Sequence, residues 1–273
     1  MWNKPYHGRK NVFTGSLAGF ICFFLLIFSA SSTTESKENP PARATFKVLN
    51  SFPHDPMAFT QGFVYRDGFL YESTGLYGKS SLRKTNPATG EVLAKVKLPQ
   101  KFFGEGLTVI GKSIYQLTWK SGRGFIYAKE NLERKGSFTY STEGWGLTDD
   151  GTSLIMSDGT EKLYFLSPES FEVTKILSVK EGGSPVRMLN ELEYAGGKIY
   201  CNIWNSDDIV VVNPESGVVE RRISLGELRK SLSLPERAEV LNGIAWKSSS
   251  DTFFITGKYW SEVFEIRIDS TSP

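Results

Sequence analysis

One pattern runs five times through this chain, and a repeat of this kind dictates the architecture before any single motif can. TQGFVYRDGFLYESTG, GEGLTVIGKSIYQLTW, GWGLTDDGTSLIMSDG, LNELEYAGGKIYCNIW and LNGIAWKSSSDTFFITGK share a polar or aromatic residue, then a small or acidic one, then an apolar one, with a turn and a β-patterned run behind them. Gln61, Glu105, Trp145, Asn190 and Asn242 hold the first of these positions, at intervals of 44, 40, 45 and 52 residues. Units of that length with four short strands each build a β-propeller, so the expected fold is all-β, a five-bladed β-propeller. Aromatic residues at 13% and 26 glycines among 273 residues suit a fold of strands and turns.

Third and fourth strands are legible in LRKTNPATGEVLAKVKL, IYAKENLERKGSFTY, LYFLSPESFEVTKILSV and IVVVNPESGVVERRISL. Asn-Pro or Ser-Pro, followed in two of these by Thr-Gly or Ser-Gly, is turn chemistry, because Pro presets the first turn dihedral and Gly accepts a positive one. The fifth unit ends at VFEIRIDSTSP with no fourth strand. ATFKVLNSFP, residues 44–53, resembles the missing piece and is expected to pair with residues 262–268, closing the ring and hiding two sheet edges. GELRKSLSLPERAEV is expected to be the one helical insertion, between units four and five.

Residues 1–32 stand apart. Lys4, Arg9 and Lys10 precede the apolar run LAGFICFFLLIF, and the small residues SASS follow, the layout of a secretory signal. The run is short for a spanning helix of ~20 residues, although the whole uncharged stretch from Asn11 to Thr34 could serve as an uncleaved anchor. Either way the remainder is translocated, which places it in the secretory pathway: endoplasmic reticulum lumen, vacuole or extracellular space. TTESKENPPAR, residues 33–43, reads as a polar, disordered linker, and residues 44–273 as the propeller domain.

What the composition excludes narrows the chemistry. Three of the 32 Lys and Arg fall within residues 1–32, against 30 Asp and Glu elsewhere, so the remainder carries a net charge close to −1 and no basic field for nucleic acid. Cys22 lies in the signal, leaving Cys201 without an intramolecular partner. His7 goes with the signal too, leaving His54, so zinc catalysis by clustered imidazoles is not expected. Phosphate-loop spacing is missing from EGGSPV and SGRG, and no Asn-x-Ser/Thr sequon occurs.

In a propeller the first strand of every blade lines the channel, so the five opening residues should form one ring at one mouth. Fourteen residues after each opening position stand Gly75, Trp119, Gly159 and Trp204, and Lys258 follows after a two-residue insertion. Taken singly, a propeller tryptophan can be blade packing and a rim glutamate a solvated residue. Unlike residues converging on one repeat phase, with glycine leaving room for tryptophan from the next blade, are what a ligand pocket demands. Gly104 and Gly106 let the strand crowd the axis, aiming Glu105 into an aromatic cavity where desolvation raises its pKa toward proton transfer. Phe59 and Phe103, each two residues before a ring position, extend the apolar wall.

FPHDPMAFTQGF, FGEGLT, YQLTW, EGWGLT, LNELEY, NIWNSD and TGKYW together resemble the plant-type glutaminyl cyclases over about residues 44–268. The resemblance implies conversion of N-terminal glutamine of peptides and proteins to pyroglutamate with release of ammonia, and no zinc. It places the acid/base on Glu105, with Asn190 and Lys258 as further catalytic groups, and substrate contacts on Phe59, Gln61, Phe103, Trp119, Trp145 and Trp204. No cofactor is required; a structural calcium ion in the channel is implied by the resemblance alone. The expected state is a monomer, with membrane attachment only through an uncleaved anchor.

Two other classes compete. A non-catalytic secreted propeller would bind peptides or sugars and yield no cyclised product. A lactone or ester hydrolase would want a channel metal held by several carboxylates and histidines, and the ring offers one carboxylate.

Overall fold

Five antiparallel sheets follow one another along the chain, one for each repeat. The structure, a computed structural model, describes residues 41–232 and 235–269. The signal segment and the linker up to residue 40 lie outside the described residues. Among those described, no helix is long and apolar enough to cross a membrane.

The first blade sets the scheme: Thr60–Arg66, Phe69–Thr74, Ser81–Thr85 and Val92–Lys97 pair in sequence order. Inner strands of the other blades are Gly104–Ile110, Leu147–Asp149, Leu189–Ala195 and Leu241–Lys247. Burial falls from axis to rim. Thr60–Val64 are all buried, whereas no residue of Val92–Lys97 is.

Hydrophobic packing lies between blades. Val64 and Leu82 of the first blade pack with Leu107 and Ile114 of the second, and Tyr115 and Leu117 of the second with Leu147 and Leu154 of the third. Ile155 and Leu163 meet Leu192 and Ile199; Ile209 and Val211 meet Ile244 and Ile255; Phe254 and Val263 meet Phe63 and Leu70, completing the circle. Each such side chain contributes about 1.5–3 kcal/mol on burial. Buried Cys201 is free and no disulfide occurs among the described residues, so these contacts carry stability there.

The residue after each ring position shows how tightly the inner strands approach. A Cβ on Gly62 would stand 2.5 Å from Leu107 N, on Gly106 2.3 Å from Leu147 N, and on Gly146 1.9 Å from Asn190 O. Side chains are excluded there by backbone of the next blade. The fourth blade breaks the series with Glu191, whose Oε1 accepts the Phe63 N–H at 3.0 Å and Oε2 the Ile244 N–H at 2.8 Å. One side chain thus reaches across the channel from the fourth blade to the first and fifth.

Closure comes from the N-terminal side. Phe46–Pro53 runs antiparallel to Glu262–Ile268, Phe46 opposite Ile268 and Pro53 opposite Glu262. Order starts before the expected boundary at residue 44. Ala42–Ala44 adds a parallel fifth strand to the fourth blade, with Ala42 opposite Arg221, because that outer edge offers unpaired backbone groups.

One expectation needs correction. Among the described residues of the insertion only Gly226–Ser231 is helical; Leu232 is already extended, and Pro235 has no N–H to donate to a continuing helix. EGGSPV forms a small hairpin of Lys180–Glu181 with Ser184–Pro185.

Candidate active site

A cavity of about 630 Å³ opens at the end of the channel where the inner strands begin. Gln61, Glu105, Trp145 and Asn190 line it from the ring, and Trp119, Gly159, Trp204 and Lys258 from the positions fourteen or sixteen further on. Phe59 and Phe103 complete the wall on one side. Asn242 does not reach it: this fully buried amide donates to Thr60 O at 2.9 Å and to Gln61 Oε1 at 3.4 Å.

Glu105 is 4% exposed, with Gln61 and Lys258 as its polar neighbours. Burial lifts its carboxyl well above the usual carboxylate range, against the pull of the Lys258 charge and the Gln61 hydrogen bond. Because Gln61 Oε1 accepts from Asn242, its amide N–H is the group left to face Glu105. Burial also depresses Lys258, which Glu105 and Glu239 partly restore. Its Nζ lies 4.6 Å from the Phe59 ring centre.

The walls interlock. Ring centres run Tyr259 to Phe59 at 5.2 Å, Phe59 to Phe103 at 6.1 Å and Phe103 to Trp119 at 5.6 Å. Opposite, Trp145 meets Trp204 edge to face at 5.9 Å. The glycines make room for these rings, though not as the sequence implies. A Cβ on Gly75 would meet Phe103 of the next blade at 2.4 Å, and one on Gly159 would meet Trp145 of its own blade at 2.7 Å. Asn205 and Tyr259, which follow the wall residues Trp204 and Lys258, have φ of 62° and 61°. Such left-handed turns cost roughly 1–2 kcal/mol for a bulky residue, and here they aim the preceding side chain at the cavity.

One buried proton-transfer group, amide and ammonium donors beside it, and flat apolar walls suit acyl chemistry on a small folded side chain. The glutamine cyclotransferase family is matched over residues 21–268. This chain belongs to that family. Among glutamine cyclotransferase relatives, a glutaminyl-peptide cyclotransferase from Arabidopsis thaliana is 39% identical over 262 residues, covering 94% of this chain and 82% of that protein. The crystal structure of Myxococcus xanthus glutaminyl cyclase matches 85% of this chain and 100% of its own at 36% identity, with a TM-score of 0.80.

Further residues line this cyclotransferase-family cavity that the two sequence columns omit: Asp158, Thr160, Met188 and Glu239. Met188 stands two residues before Asn190, the spacing that singled out Phe59 and Phe103, so the same rule extended to every blade finds it. Asp158 Oδ1 accepts the Thr160 hydroxyl at 2.5 Å and Oδ2 the Tyr164 hydroxyl at 3.0 Å, contacts that no spacing announces.

Proposed function

We propose that this protein is a glutaminyl-peptide cyclotransferase, closing the N-terminal glutamine of a peptide or protein into pyroglutamate and releasing ammonia. The observation that carries the reading is the carboxyl of Glu105, 4% exposed among the aromatic walls of the cavity and raised by that burial. The neutral α-amine attacks the side-chain amide carbon, forming the ring C–N bond. Glu105 takes the proton that the amine gives up and delivers it to the departing amide nitrogen, whose C–N bond breaks as ammonia leaves. Attack within one residue needs the side chain held folded, and aromatic walls do this without adding groups that compete for the amine.

Asn190 and Lys258 are the donors assigned to the developing oxyanion, with Gln61 holding Glu105. The indoles of Trp119 and Trp145 are walls and not donors, because both N–H groups already bond Glu143. Trp204, Phe59 and Phe103 complete the substrate contacts.

No step runs through a metal. Calcium asks for six to eight oxygens. Glu191 and Glu193 in the channel already accept backbone N–H groups, and Asn242 Oδ1 is the only buried side-chain oxygen without a partner among the described residues. Among the described residues no three Asp, Glu, His or Cys side chains converge as such an ion requires, so the side chains alone do not supply that set.

The N-terminal segment supports delivery into the secretory pathway, where peptides with a leading glutamine are the partners. A monomer suffices, since the cavity is complete within one chain.

Mass spectrometry of Gln-led peptides incubated with purified protein tests the reading. Pyroglutamate and ammonia are expected, with turnover falling by roughly 10²–10⁴ in Glu105→Gln. Peptide binding without any product would leave the non-catalytic propeller instead.

A further inference from the structure

The position two residues before each ring residue holds Phe59, Phe103, Glu143, Met188 and Val240. Four are apolar and one is a carboxylate, at the place where the second blade hands over to the third. The exception has two partners. Glu143 Oε2 accepts the indole N–H of Trp119 at 2.7 Å and that of Trp145 at 3.0 Å. These indoles belong to different blades and form adjoining parts of the cavity wall.

The contact fixes more than two rings. Trp119 is packed against Phe103, and Trp145 stands edge-on to Trp204 and covers Gly159. Lys120 reinforces the arrangement, its Nζ 4.1 Å from the Trp119 ring centre and 3.8 Å from Glu143 Oε1. A charge-assisted bond to each indole is stronger and more directional than the packing contacts around it. Without it each indole could rotate about its side-chain bonds into the cavity or out toward solvent.

We infer that Glu143 is a positioning residue: one carboxylate oxygen clamps two indoles from neighbouring blades, setting the width and orientation of the wall against which the substrate glutamine folds. This deepens the cyclotransferase reading and rests on it. Glu143 touches no reacting atom. It acts through the near-attack conformation of the bound side chain; its charge also pushes the Glu105 carboxyl upward, a contribution that Glu143→Ala and Glu143→Gln lose alike, so only the geometric part separates the two variants.

The test pairs Glu143→Ala with Glu143→Gln, whose amide oxygen can still accept both N–H groups without the charge. Glu143 is partly solvent-exposed in a loop, so both variants should fold. In Glu143→Ala, kcat/KM on a Gln-led peptide is expected to fall about tenfold or more. The Trp119 and Trp145 indole N–H resonances, assigned by single Trp→Phe variants, should both move. In Glu143→Gln most of that activity should return and both resonances should lie near wild-type positions. Unmoved resonances in Glu143→Ala would remove the clamp, whether or not the wild type turns over. Unchanged kcat/KM with moved resonances would leave a clamp without catalytic consequence and also overturn the inference. Wild-type protein that makes no pyroglutamate would overturn the cyclotransferase reading itself, while the resonances still report on the clamp.

Discussion

Glu105 and Lys258 oppose each other in the floor of the cavity: each is buried, and each moderates the shift that burial imposes on the other. Removing the cation therefore has a definite sign. In Lys258→Met the carboxyl loses the charge that holds its pKa down, so the acid limb of the kcat/KM profile should move to higher pH. An oxyanion donor is lost as well, and kcat should drop by roughly 10²–10³. A lower kcat with an unmoved acid limb would mean that Lys258 does not act on the group responsible for that limb. At this scale the sequence was informative wherever a residue lay in repeat phase: Glu105, Trp119, Trp204 and Lys258 all line the cavity their spacing assigns. It was less informative where hydrogen bonding decides orientation. Asn242 shares the phase of Gln61 yet turns aside to hold it, and Glu143 was not singled out because its indole partners are visible only in three dimensions.

Strands and turns divide in the same way. The Asn-Pro-x-x-Gly turns close as their chemistry requires: Gly90 and Gly217 take φ of 69° and 74°, with the Asn86 and Asn213 side chains accepting backbone N–H groups two residues on. The corresponding turns of the second and third blades put Leu132 and Phe171 at φ of 58° and 60°, which no turn preference suggests. Packing offsets the strain, since Leu132 is buried and Phe171 stacks on Phe138 at 4.4 Å. The glycines beside the ring make a sharper claim about inner strands. In Gly146→Ala the new methyl would sit 1.9 Å from Asn190 O, a backbone atom that cannot swing away. The strand carrying Asn190 must shift, costing about 1–3 kcal/mol. Urea unfolding should show a lower midpoint, and activity should fall further than in Gly151→Ala, where nothing lies within 4 Å of the added Cβ although φ is +88°. Equal activity in the two variants would separate the glycine column from the site.

For the molecule as a whole, repeat intervals made five blades legible because each blade must bury both faces against its neighbours. Which charges the channel tolerates was not legible, because burial of a carboxyl depends on strands far apart in sequence. Glu193 shows the consequence for stability. Its Oε1 accepts the Trp246 N–H at 2.8 Å from the fifth blade, and its Oε2 accepts the Thr148 hydroxyl at 3.5 Å from the third. Burial raises this carboxyl from its ordinary 4.5 to about 8. Between those values the folded chain keeps a proton that the unfolded chain releases, so raising pH through the window favours unfolding. The contribution is whole below about 4.5 and is lost as pH climbs through about 8. Glu193→Gln keeps an oxygen for Trp246 and does not titrate. Thermal midpoints measured from pH 4 to 9 should therefore decline less steeply in the variant, with the gap widest at the alkaline end. Some decline should persist, because burial also raises Glu105, Glu191 and Asp149. Parallel curves would mean that Glu193 meets water in the folded ring, and that its reach between the third and fifth blades is not closed to solvent.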